Sequence, residues 1–159
     1  MEKILQKPAK EIMTKDVIAV QDDESIKNLF QIMDKNNILG VPVIDCKNKL
    51  IGIVTETNLI QHFTTLKNPK SINILGGILY LDSTEDFNKN LKSHCAEYVK
   101  DIMTKDVISV NSDVKLKNII NLMSEKNINR LPVIDNQNKL IGIITRSDIV
   151  HQLAKIKSV

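Results

Sequence analysis

Displaced by 90 positions, the sequence lies on itself. Residues 9–63 fall on 99–153 without a gap, and about half of the aligned positions are identical. KEIMTKDVIAV at 10–20 returns as KDIMTKDVISV at 100–110, and NKLIGIVT at 48–55 returns as NKLIGIIT at 138–145. A repeat of this period is a duplicated subdomain and not a short-period solenoid. Each copy, at about 55 residues, is too small to bury a generous core alone. The copies are therefore expected to pack face to face about a pseudo-twofold axis, leaving two related clefts lined from both halves.

Within each copy the pattern of apolar residues changes period. VIAV and VISV are β-branched runs suited to short strands. Ile26, Leu29, Phe30 and Met33 recur at helical spacing, and Leu116, Ile119, Ile120 and Met123 repeat the stripe. Asp22 or Asp23, and Ser112 or Asp113, are candidate N-caps for these helices. VPVID and LPVID predict strands, and the missing donor of Pro42 or Pro132 suggests an edge or a strand start. CKNK and NQNK are turn segments. KLIGIVT and KLIGIIT are apolar throughout, as in strands covered on both faces. Each runs into a final helix, TETNLIQHF or TRSDIVHQL. The unit is thus strand–helix–strand–strand–helix, an α+β fold of two β-α-β-β-α repeats with a helical connector. Residues 1–66 hold the first repeat with a short helix over 2–13, residues 67–96 the connector, and residues 97–159 the second repeat. In the connecting region GG at 76–77 breaks an apolar run, and DSTEDFNKNLKSHCAEYVKDIM predicts a helix with Phe87, Leu91 and Cys95 on one side.

Composition narrows the function classes. Of 159 residues, 42% are apolar and 26% charged, as in soluble globular proteins. Aromatics are 3% with no Trp, so the core must be built from Ile, Leu, Val and Met, and no stacking platform for bases is available. The net charge of +3 is spread rather than clustered, which argues against nucleic acid. Cys46 and Cys95 have no CxxC or CxxH context, so no disulfide framework is expected and a reducing, cytoplasmic setting is. No basic-then-apolar leader opens the chain, and ILGGILYL at 74–81 is too short to cross a bilayer. His62, His94 and His151 lack metal-ligand spacing, and His94-Cys95 has no further ligands, so no metal is expected. Neither a P-loop nor a nucleophile with a partner base is evident, so no catalysis is expected.

The chemistry-bearing feature is Thr-x-x-Asp at 145–148, which is Thr-x-x-Asn at 55–58. Its first reading is a helix N-cap with an answering acid three residues on. Its second is a site: free N–H groups at a helix start attract anions, and a carboxylate there accepts from vicinal hydroxyls such as those of ribose. Both readings hold at once if the capped helix faces a cleft.

With IMTKDVISV and NINRLPVIDNQNKLIGIITRSDIV and their first-copy counterparts, the chain resembles paired cystathionine-β-synthase (CBS) domains, the Bateman module, over nearly its whole length. ILGGILYLD resembles the connecting stretch of small stand-alone bacterial CBS-pair proteins. The resemblance implies a regulatory module with adenosyl ligands, such as AMP, ADP, ATP or S-adenosylmethionine, in its inter-repeat clefts. Residue by residue it places Asp148 on the ribose hydroxyls and Thr145 near ribose or phosphate. Arg130 and Arg146 are then candidates for phosphate, and Met13, Asp16 and Ile18 for the adenine wall. The related second cleft would use Thr55, Asn58, Met103, Asp106 and Ile108. There the chain departs from the pattern. Asn58 replaces the acid, Glu56 stands for Arg146 and would repel phosphate, and Gly40 stands for Arg130. An amide offers one uncharged acceptor oxygen, so the second site is expected to be weaker. The repeats and connector account for the chain, so output is expected through a homodimer or an effector protein in trans. A nucleotide-hydrolysing enzyme and a nucleic-acid-binding module are the alternatives, and no membrane partner is expected.

Overall fold

The computed structural model describes residues 2–63, 71–74, 77–80 and 96–155. The first repeat forms β1 (Val20–Gln21), α2 (Ile26–Lys35), β2 (Gly40–Ile44), β3 (Leu50–Thr55) and α3 (Glu56–Phe63), after a short α1 (Glu2–Leu5) and a 3-10 turn at Ala9–Glu11. The second forms α4 (Val99–Ile102), β6 (Val110–Asn111), α5 (Leu116–Glu125), β7 (Arg130–Ile134), β8 (Leu140–Thr145) and α6 (Arg146–Ala154). Each repeat has a three-stranded sheet in chain order, its first pair parallel and its second antiparallel. The order strand–helix–strand–strand–helix therefore holds in both copies. The helix expected over 2–13 is instead interrupted, with Pro8 separating α1 from the 3-10 turn.

Three local expectations are corrected. Ser25, not Asp22 or Asp23, caps α2 by accepting from Asn28 N at 3.2 Å. Lys115 holds the equivalent position before α5 and makes no side-chain cap bond. Pro42 and Pro132 lie on the central strands of their sheets, not at an edge. They are tolerated because β1 and β6 are two residues long and pair only with residues 43–44 and 133–134. Between the repeats, β4 (Ser71–Ile74) and β5 (Gly77–Tyr80) pair antiparallel, a hairpin the apolar run did not announce. The helix expected to follow it lies, up to residue 95, outside the described residues.

The repeats share their interiors by exchange. One core gathers Leu29, Met33, Val41, Val43 and Val54 from the first copy with Val99 and Ile102 from the start of the second. The other gathers Leu116, Ile119, Met123, Leu131, Val133 and Ile144 with Ala9 and Ile12 from the start of the first. The helical stripes predicted from spacing supply both cores. Backbone bonds fix the exchange symmetrically: Ala9 N donates to Val114 O and Val99 N to Glu24 O, at 2.8 and 2.9 Å. Thr14 exchanges a backbone bond pair with Ile143, and Thr104 with Ile53. Burial alternates along β3 and β8, one face being fully buried and the other half-buried.

The pseudo-twofold axis passes between the β2–β3 and β7–β8 turns, where Lys49 and Lys139 pair with each other. Asn48 and Asn138 adopt left-handed backbone (φ 61° and 63°), which asparagine tolerates well. Asn48 Nδ2 donates to Leu140 O at 3.2 Å and Asn138 Nδ2 to Leu50 O at 3.1 Å. Asp45 shapes the first turn by accepting from Lys47 N and Lys49 N, both at 2.8 Å, and Asp135 accepts from Gln137 N and Lys139 N at 2.8 and 2.9 Å. The Lys49 N–H bond, aided by the Lys47 N–H and both lysine charges, holds the Asp45 carboxyl below its ordinary value against some desolvation. The Lys139 N–H does the same for Asp135.

Candidate adenosyl-ligand clefts

Two clefts open between the repeats. The larger, about 570 Å³, lies between the start of α6 and the residue 14–18 segment. The smaller, about 250 Å³, lies between the start of α3 and the residue 104–108 segment. Small-molecule sites commonly span about 300–1,000 Å³, so the first is of ligand size and the second falls below it.

At the floor of the larger cleft the capping box is formed. Thr145 N and Thr145 Oγ1 donate to Asp148 Oδ2 at 2.7 and 2.6 Å, and Asp148 N donates back to Thr145 Oγ1 at 3.4 Å. Both acid bonds fall on one oxygen, which leaves Oδ1 as an acceptor. Asp16, Ile18, Arg130, Thr145, Arg146 and Asp148 all line this cleft. Met13 does not. Its thioether sits over Gly142, where any Cβ would collide with Sδ, so Met13 fills the inter-repeat packing. Val17, Pro42 and Ile38 supply apolar wall that the sequence reading missed, beside an Ile18 that is itself exposed. Their signal was present in the sequence as apolar residues shortly before or within strands, but only the fold turns them toward one opening.

The smaller cleft is built differently from similar sequence. Thr55, Asp106 and Ile108 line it, whereas Met103 and Asn58 do not. Met103 packs over Gly52 as Met13 does over Gly142. Asn58 Oδ1 accepts from Thr55 N and Thr55 Oγ1 at 2.9 and 3.0 Å, the same two bonds that Asp148 accepts from Thr145. Its Nδ2 then donates across the interface to Ile102 O at 3.0 Å and Thr104 Oγ1 at 3.4 Å. A carboxylate has no hydrogen to make those bonds. Ile108, unlike its counterpart Ile18, packs against a core.

Glu56 and Arg130 line both clefts. Arg130 Nη1 donates to Glu56 Oε2 at 3.0 Å in a part-buried ion pair. Sequence reading assigned Glu56 to phosphate repulsion in the smaller cleft and did not foresee this pairing. Cys46 is exposed in its turn, and His62 lies edge-on to Phe63 with ring centroids 4.7 Å apart. Among the described residues no group of three or more His, Cys, Asp or Glu is placed to hold a metal ion, and no helix is long and apolar enough to cross a membrane. His94 and Cys95 lie outside the described residues.

The sequence and the fold have relatives. The CBS domain family matches residues 9–64 and again 99–155. The uncharacterized protein MJ1426 of Methanocaldococcus jannaschii is 30% identical over 151 residues, which are 91% of this chain and 89% of that one. Inosine-5'-monophosphate dehydrogenase of the same organism is 35% identical over 146 residues, but these cover 92% of this chain and only 23% of the enzyme. Among solved structures, CBSX2 in complex with AMP, a protein of Arabidopsis thaliana, superposes with a TM-score of 0.78 at 26% identity over 95% of this chain and 99% of that one. The CBS domain pair of MJ0100, in complex with 5'-methylthioadenosine and S-adenosyl-L-methionine, superposes with a TM-score of 0.65 at 26% identity, covering 92% and 99%. With both repeats matched and the paired architecture present throughout, the chain belongs to the CBS-domain family as a tandem pair.

Proposed function

We propose that the protein is a regulatory sensor of an adenosyl ligand, of the AMP, ADP, ATP or S-adenosylmethionine type, held in the larger cleft. The observation that carries this reading is the asymmetric use of the Asp148 carboxylate. One oxygen caps α6 and the other is left for the vicinal hydroxyls of a ribose, in a cleft that also presents Arg130 and Arg146. Thr145 lies beside the ribose or phosphate, and the adenine rests on the Asp16–Ile18 segment with Pro42. Complexes of two relatives with adenosyl compounds support the ligand class. The smaller cleft, with Thr55, Asp106 and Ile108 but with Asn58 bonded elsewhere, is the weaker or unused site.

The ligand regulates and is not turned over. Binding transmits a signal only where two arrangements of the halves differ in affinity for it. Output passes to a partner protein in trans or through a homodimer formed by the exposed sides of the final helices. A thermal-shift series with AMP, ADP, ATP and S-adenosylmethionine tests the reading. At a hundred times its dissociation constant, the right ligand adds about 2.7 kcal/mol of stability. Asp148→Ala should remove most of that response and Asn58→Ala little of it. A 2'-deoxy analogue binding as tightly as its parent would rule out the ribose role of Asp148.

A further inference from the structure

The charges where the two clefts meet are unequal. Positions 40 and 130 correspond in the repeat, as do 56 and 146, yet they read Gly40 and Arg130, Glu56 and Arg146. Glycine at 40 is what admits the Arg130 side chain. A Cβ there would lie 2.7 Å from Arg130 Nε and 2.8 Å from Cδ, closer than packed atoms approach. Threaded over Gly40, the guanidinium meets the Glu56 carboxylate at 3.0 Å. The Arg130 side chain is 12% exposed and that of Glu56 35%. Arg146 lines the larger cleft, is exposed, and has no carboxylate partner among the described residues.

We infer that Glu56 is a specificity-determining residue of the larger cleft, acting as an internal counter-anion that competes with ligand phosphate for Arg130. The inference rests on the adenosyl-ligand reading of that cleft. The carboxylate already holds Arg130 Nη1 and offsets the guanidinium charge, so what a phosphate gains there in exchange is reduced. The nucleoside part of the ligand does not enter this exchange. Glu56 therefore lowers affinity for phosphorylated ligands selectively and narrows the preference of the site for them over uncharged or cationic adenosyl compounds. Arg146 keeps some phosphate attraction in place, which makes Glu56 a tuning residue and not a block.

Calorimetric titration of AMP and of adenosine into the wild-type chain, Glu56→Gln, Arg130→Gln and the double variant tests this. Glutamine retains an acceptor for Arg130 and removes the charge, and circular dichroism checks that each variant is folded. Glu56→Gln should tighten AMP by roughly two- to five-fold, the range expected when a part-exposed ion pair no longer competes, while adenosine stays unchanged. In the Arg130→Gln background the same substitution should give no gain for AMP. Equal tightening of AMP and adenosine, or a gain that persists without Arg130, overturns the inference. AMP bound alike by wild type and Glu56→Gln overturns it and leaves the adenosyl reading standing. AMP and adenosine bound by neither overturns both.

Discussion

At position 58 an amide stands where the second copy has a carboxylate, and the two side chains use their atoms differently. Asn58 spends everything it has: its oxygen caps α3 and its nitrogen reaches Ile102 O and Thr104 Oγ1. Asp148 spends one oxygen on the α6 cap. The same exchange of amide and acid should therefore cost unequal amounts of stability. Asn58→Asp sets a carboxylate oxygen against the Ile102 carbonyl where a bond of 3.0 Å had been. Losing that bond and leaving two acceptors face to face costs about 1–3 kcal/mol. Asp148→Asn keeps an acceptor for Thr145 and should cost less than about 1 kcal/mol, while weakening ligand binding. Urea unfolding of the two variants checks this, and equal losses would show that the bonds of Asn58 to the opposite repeat carry no stability.

Among the elements, the turns at the pseudo-twofold axis carry the resolved shifts in acidity. Asp45 and Asp135 both have folded-state values below the ordinary 3.8. The stability each contributes is thus complete above that value and is lost as pH falls through the lower folded one. Wild-type urea midpoints should decline as pH falls below about 5. The Asp45→Asn/Asp135→Asn variant should start lower at neutral pH and fall less steeply, because its amides cannot titrate. Parallel acid limbs would mean that these carboxylates do not hold the turns. The same turns show what the sequence disclosed. Their flanking strands and helices followed from apolar periodicity and repetition, whereas the placing of Thr145, Asp148, Arg130 and Arg146 at one cleft followed from the family resemblance. Caps were less legible, since Ser25 wins over Asp22 and Asp23 by where the backbone turns, which composition does not record. The positions of Pro42 and of Met13 depended on facts outside their own segments: a neighbouring strand only two residues long, and a glycine more than a hundred residues away. Pairing of Glu56 with Arg130 needed the halves assembled, because the two residues lie in different repeats.

For the whole molecule, exchange of the opening segments makes each core depend on both repeats, so the pair is a single cooperative unit rather than two linked domains. Val99 and Ile102 complete the first core while Ala9 and Ile12 complete the second. What this packing leaves outside is also symmetric. Ile60 and Val150, 90 positions apart, are 66% and 65% exposed, and Phe63 and Leu153 follow them one turn on. Large apolar side chains repeated on α3 and α6 present matching patches on the two halves of one chain. A second copy turned about a twofold axis can meet both patches with its own, which closes the assembly instead of propagating it. A stable contact of this kind needs about 800 Å² from each partner, which two helix faces acting together can provide and one alone cannot. Ile60→Asp/Val150→Asp should therefore convert a dimer to a monomer in sedimentation equilibrium, with the urea midpoint of the isolated chain little changed because neither side chain belongs to a core. The larger cleft is lined by the first residues of the same helices and not by Ile60 or Val150, so nucleotide response measured on the monomeric variant separates binding from output. A wild-type chain that sediments as a monomer at high micromolar concentration would refute the proposed homodimer, and the exposed stripes would then be left to a different protein as the route by which the ligand is read.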